Sequence, residues 1–174
     1  MKIAHELDAG DWCKQASCEV GSKNTEQLTD VLAHLGAEAL SEALSELKEG
    51  SLEWHAQDER EVTFAPKVTK QEMKLAPEDS AQVNALRVQA SSDTAPARVS
   101  VGGRSLRALS AQLAPSEVSV AQGQVAVQDH RLFLGCVEGV LELLEVRPDG
   151  KRSMDAKSFA AGLQKSQMTW QKLQ

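Results

Sequence analysis

Few side chains in this sequence are spaced for chemistry, and the best placed is Asp8, in the acidic, glycine-containing run ELDAGD at 6–11. A carboxylate there can accept a proton, hold a water or orient an imidazole, but while ionised it cannot donate to a developing oxyanion. The same residues also suit a plain acidic turn, because Asp and Gly are common turn formers. His5 lies close by, and an imidazole is a side chain able to take part in proton transfer. His34, His55 and His130 show no H-E-x-x-H or other metal spacing and read as surface or packing residues. Cys13, Cys18 and Cys136 form neither an even disulfide framework nor paired CxxC knuckles, so reduced thiols are expected and no metal site is.

A second set of residues could bind phosphate. Lys67, Lys70 and Lys74 are close together, and Arg98, Arg104, Arg107, Lys151 and Arg152 follow. A solvated charged face accounts for them equally well. The formal net charge of -6 argues against a general nucleic-acid binder, but the acidic excess lies in the first 77 residues and the rest is near balance. With 3% aromatic residues and no Tyr, base stacking is not expected, and any nucleic-acid contact would be electrostatic. No apolar run approaches the roughly 18 residues of a membrane span, and the N-terminus has no signal pattern, so a cytoplasmic protein is expected.

The elements that must position these residues fall into two parts. Residues 1–23 read as a strand, the acidic loop and a second strand. Asn24 with Gln27 forms a capping-box signal, and Leu28, Val31, Leu32, Leu35, Ala39, Leu40, Leu44 and Leu47 follow at helical spacing up to Gly50, a C-terminal cap. Gly36 inside that pattern predicts a bend or break. Residues 51–77 read as a connection with a short strand at Val62–Phe64. Beyond Pro77 the pattern becomes β: ARVSV and RSLRALSAQ flank Gly102-Gly103, a two-residue hairpin turn, and strands are expected at 124–128, 131–136 and 139–146. Asp155 can cap a last helix in which Phe159 and Leu163 share a face.

Three segments, in this order, resemble the methionyl-tRNA formyltransferase family: MKIAHELDAGD at 1–11, VTFAPKVTKQEMKL at 62–75 and GVLELLEVRPDGKRSM at 139–154. The resemblance implies an α+β fragment, in which the remnant of an α/β formyltransferase domain precedes an oligonucleotide-binding-type β-barrel. It divides the chain into a catalytic-domain remnant at 1–60, a linker at 61–77 and the barrel at 78–174. It implies transfer of formyl from 10-formyltetrahydrofolate to the amino group of methionyl initiator tRNA. Of the family's Asn, His and Asp trio, only the Asp has a counterpart, Asp8. The formyl donor would lie against Leu7, Asp8 and Gly10, and the tRNA against Lys67, Lys151 and Arg152.

The sequence departs from the family pattern where a Trp commonly follows the KL element, here KLAPEDS, and it lacks the expected Pro-Trp-Pro segment. Trp12, Trp54 and Trp170 do not obviously replace those positions. Two other functions stay open: a stand-alone RNA-binding or interaction module, and a fragment of a folate-dependent sugar-nucleotide formyltransferase. As a fragment, the isolated chain is expected to show no turnover. Its helix at 25–48 would carry an uncovered apolar stripe, with self-association as the consequence.

Overall fold

The computed structural model describes residues 1–163 and 168–173. The chain divides into two compact units, Met1–Lys67 and Val68–Gln174. The expected barrel range thus includes residues 164–167 and 174, which lie outside the described residues.

The first unit is built on one helix, α1 (Thr25–Glu49). Its start follows from the capping box: the Asn24 side chain accepts from the Gln27 N–H at 2.9 Å, and the Gln27 side chain accepts from the Asn24 N–H at 3.0 Å. Its end follows from Gly50, whose φ of 74° places it in the left-handed region that only glycine enters without cost. The helix passes through Gly36 unbroken, contrary to the expected bend. A single interior glycine costs about 1 kcal/mol against alanine, too little to break a helix of this length capped at both ends.

The expected strands of residues 1–23 do not form. Those residues form bends and turns at 5–8, 10 and 21–22 joined by irregular segments, and the bridge of Trp12 with His55 is the β pairing they make among the described residues. Val62–Phe64 is likewise exposed and unpaired, because no neighbouring segment offers a ladder to it. Nothing on α1 is buried, and Leu40, Leu44 and Leu47 are each more than half exposed.

The second unit is a nearly closed antiparallel barrel-like sheet. Its strands are β1 (Arg98–Val101), β2 (Arg104–Leu113), β3 (Val125–Gln128), β4 (Arg131–Gly135), β5 (Val140–Pro148), β6 (Met154–Asp155) and β7 (Trp170–Gln171). They lie in the order β3-β4-β5-β2-β1-β7, with β6 pairing β5. The hairpin β1–β2 turns at Gly102 and Gly103, both at positive φ, which matches the right-handed twist of the flanking strands. Asp129 and His130 make the equivalent turn between β3 and β4 with φ of 49° and 65°. The long β2–β5 ladder shifts register around Ser110, a bulge that adds local twist and bends the strand.

Inside the sheet, Val99, Val101, Leu106, Leu132, Leu134, Leu141, Leu143 and Val146 are almost fully buried. Among the described residues two helices cover it. The sequence reading did not foresee α2 (Ala81–Gln89), which is capped by Ser80 and buries Ala81, Asn84 and Val88. The other, α3 (Ala156–Ala161), starts at Asp155, which accepts from the Ser158 N–H at 2.6 Å, and buries Phe159. Within the stretch 61–77, read as a connection, Met73, Leu75 and Ala76 are buried in this second unit. Asn84 holds them there: its side chain accepts from the Ala76 N–H at 3.0 Å and donates to the Ala76 carbonyl at 2.9 Å.

Glu142 on β5 is buried with its carboxylate satisfied. Glu142 accepts two bonds from Arg131, each 2.6 Å, and one from Gln112 at 2.8 Å. These hold its carboxyl below the usual range, chiefly through Arg131, against the opposing effect of desolvation. Burial conversely pushes the Cys136 thiol up, which keeps it protonated and unreactive.

Two predictions follow from these contacts. Asn84→Ala strands a buried N–H and a buried carbonyl at Ala76, so it should cost roughly 2–4 kcal/mol in urea unfolding of the second unit. An unchanged midpoint would show that water replaces the amide. Because Glu142 titrates lower folded than its unfolded value of about 4.3, its stabilisation is complete above that value and is lost as pH falls through the folded pKa. Thermal melts between pH 7 and 3 should therefore fall more steeply for the wild type than for Glu142→Gln.

Candidate functional site

The acidic loop is fixed by its backbone. The Lys2 N–H donates to the Asp11 carbonyl at 2.8 Å, and Lys2 Nζ pairs with Asp11 Oδ2 at 2.8 Å. One residue on, Trp12 and His55 exchange backbone hydrogen bonds of 3.0 and 2.8 Å, and their rings lie 4.6 Å apart. From the same segment as His55, the Gln57 amide reaches back and donates to the carbonyls of Asp8, at 2.6 Å, and Gly10, at 2.8 Å.

Gly10 is where the loop closes on itself. It is buried, and a Cβ there would lie 1.9 Å from the Lys2 carbonyl oxygen, so only hydrogen fits. Asp8 has a φ of 57°, in the left-handed region that costs a non-glycine residue energy and that Asp tolerates better than most. The main chain of Asp8 is thus clamped while its carboxylate is exposed and makes no hydrogen bond or ion pair among the described residues. Such a group is free to engage a partner. The Leu7 side chain beside it is 93% exposed, an apolar surface next to the carboxylate.

Leu7, Asp8 and Gly10 therefore share one loop, with His5 exposed in the same turn region. Lys67 ends the first unit and is exposed. Lys151 and Arg152 are exposed in the turn after β5, but only Lys151 faces the recess formed there with Arg98 and Arg107. Arg104 is taken up by the fold, donating to the Gly162 carbonyl at 2.9 Å. Sequence reasoning missed Gln57, which lies far along the chain from Asp8 and belongs to no pattern that would flag it.

The family model of the formyl transferase C-terminal domain matches residues 67–164. The chain belongs to the formyl transferase family. Its similarity to members of that family runs beyond the matched domain: it is 38% identical over 160 residues to the methionyl-tRNA formyltransferase of Methylococcus capsulatus, covering 91% of this chain and 52% of that protein. With the methionyl-tRNA formyltransferase of Rubrobacter xylanophilus it is 34% identical over 168 residues, covering 93% and 54%. The chain thus spans about half the length of the curated relatives it matches. Among solved structures, a variant of HypX from Aquifex aeolicus superimposes with a TM-score of 0.70 at 20% identity over 92% of this chain and 30% of that one. HypX in complex with tetrahydrofolic acid gives 0.63 at 19% identity over 92% and 29%. At those identities the likeness is one of fold. Among the described residues of this formyl transferase chain, no helix is long and apolar enough to cross a membrane.

The loop geometry makes Gly10 the residue to test. Gly10→Ala must push the Lys2 backbone away, a strain of roughly 1–3 kcal/mol. It should open the Lys2–Asp11 hydrogen bond, read as a tenfold or greater rise in exchange of the Lys2 amide. Unaltered protection would mean that the close approach is relaxed without consequence.

Proposed function

We propose that this chain forms the C-terminal half of a methionyl-tRNA formyltransferase, which transfers formyl from 10-formyltetrahydrofolate to the amino group of methionyl initiator tRNA in the cytoplasm. The observation that carries this reading is the 38% identity to the Methylococcus capsulatus enzyme across 91% of the chain. The tetrahydrofolic acid bound to a neighbour of the same fold supports a folate donor.

In this reading Asp8 is the catalytic position. The attacking amine must lose a proton as the formyl carbon is transferred, and a clamped, unengaged carboxylate can accept it directly, through a water or through an imidazole. The donor fits the loop only in part. Exposed Leu7 offers apolar contact and Gly10 leaves the backbone open to close approach, but an ionised Asp8 supplies no oxyanion donor. Those donors have to come from other groups. Lys67, Lys151 and Arg152 contact tRNA phosphates, the barrel-like sheet is of the oligonucleotide-binding type, and the exposed stripe of α1 is where self-association would occur.

The test is formylation of methionyl-tRNA with 10-formyltetrahydrofolate. The 174-residue chain alone should show no turnover, and the chain joined to the N-terminal half of the Methylococcus capsulatus relative should be active. Asp8→Ala in the joined protein should lower kcat by about 100-fold or more while leaving tRNA affinity within about twofold. Turnover by the chain alone, or an Asp8→Ala protein with unchanged kcat, would refute the assignment.

A further inference from the structure

In the first unit, the side chain of Gln57 serves the acidic loop and little else. Its nitrogen donates to the Asp8 carbonyl at 2.6 Å and to the Gly10 carbonyl at 2.8 Å, across 49 and 47 positions of sequence. A primary amide carries two N–H donors on one planar group, so a single side chain holds both acceptors at once. The Met1 sulfur lies farther off, at 3.6 Å. Gln57 is itself exposed, and among the described residues of Met1–Lys67 only Gly10 is buried, so the amide packs into no core. Its contribution is to the main chain of the loop.

That main chain needs holding. Asp8 sits at a φ of 57°, where a non-glycine residue is disfavoured, and an unrestrained loop would relax toward the ordinary regions. A carbonyl oxygen is rigid in its peptide plane, so fixing the oxygens of Asp8 and Gly10 fixes the planes on either side of Ala9. The Lys2–Asp11 bond secures the far end of the loop, and among the described residues Gln57 is the group that bonds Asp8. The Trp12–His55 bridge, two residues before Gln57, brings this segment against the loop.

The grip leaves the carboxylate untouched while setting the direction of the Cα–Cβ bond that carries it. A misplacement of about 1 Å in a reacting group can cost on the order of 100-fold in rate. We propose that Gln57 is a positioning residue for formyl transfer: through the Asp8 and Gly10 carbonyls it fixes where the Asp8 carboxylate stands against the attacking amine, and it touches neither substrate. The role rests on the reading of Asp8 as the catalytic position, whereas the tie between Gln57 and the loop stands on its two hydrogen bonds.

The experiment has two arms, both with Gln57→Met, which keeps the length of the side chain and removes both donors. In the 174-residue chain labelled with carbon-13, the carbonyl resonances of Asp8 and Gly10 should move, with thermal melts showing that the variant stays folded. Carbonyls that do not move would show that the tie is absent and would overturn the proposal. In the chain joined to the N-terminal half of the Methylococcus capsulatus relative, the variant should lower kcat for formylation about tenfold and leave KM for both substrates within about twofold. Asp8→Ala combined with Gln57→Met should be no slower than Asp8→Ala alone, because a group that acts through the carboxylate has nothing to position once the carboxylate is gone. Losses that multiply, or an effect confined to KM, would overturn the positioning role, since Gln57 would then act apart from Asp8. If Asp8→Ala lowers kcat and Gln57→Met does not, the positioning role fails and the formyltransferase reading stands. If Asp8→Ala leaves kcat unchanged, the catalytic assignment of Asp8 fails and the role of Gln57 falls with it.

Discussion

Closure of the sheet is the constraint on which the second unit depends. Without the junction between β3 and β7 it would have two open edges, each a row of unpaired backbone groups. At the junction the Val125 N–H donates to the Met168 carbonyl at 2.8 Å, and the Trp170 N–H donates to the Gly123 carbonyl at 2.9 Å. The Trp170 indole N–H then donates to the Gly135 carbonyl at 2.9 Å, so one buried side chain ties the last strand to β4 as well. Gly135 is required there, because a Cβ would lie 2.0 Å from the Ala121 carbonyl oxygen. Closure holds β1, β2 and β5 within one sheet, whose hairpin and ladder registers decide which of their side chains meet.

The first unit has no such core, and its order comes from local bonds. Caps at both ends define α1, Lys14 pairs with Glu46 at 2.5 Å, and Gln57 with Gly10 holds the acidic loop. In this arrangement the constraint falls on main-chain atoms, so the carboxylate of Asp8 is left unengaged. A loop held instead by its own carboxylate, as in an Asx turn, would have spent the group that chemistry needs.

Elements with strong local grammar were legible in the sequence. The Asn24 and Gln27 box, Gly50, the Gly102-Gly103 hairpin and the Asp155 cap each name a backbone geometry that few other residues supply. Elements set by tertiary pairing were not. The α2 sequence AQVNALRVQ has a weak apolar face and an Asn in its interior, and that Asn matters only because Ala76 lies opposite it. The two-residue strand at Trp170 has no periodicity to read. At the candidate site, the run ELDAGD marks Asp8, whereas Gln57 acts through a contact visible only in three dimensions. Arg98 and Arg107 stood among the candidate cations, but Arg147 looked like one charge in a strand until register set it beside them.

The charge on the chain illustrates why totals mislead about binding. The net charge is -6, and one arginine of the sheet is spent inside the fold: Arg131 neutralises buried Glu142 and lies over the Phe133 ring at 5.0 Å. A pair of this kind has little attraction left for a ligand, since its charge is matched and two of its guanidinium nitrogens are engaged. On β1, β2 and β5 the cations outnumber the anions: Arg98 pairs with Asp149 and Arg107 with Asp93, and Arg147 and Lys151 make no ion pair among the described residues. The range of an exposed charge in physiological salt is about 8 Å, so a ligand at that patch senses its local excess and little of the acidic remainder. An acidic protein can therefore present a phosphate-facing surface, provided that the fold gathers a few cations and leaves them unpaired.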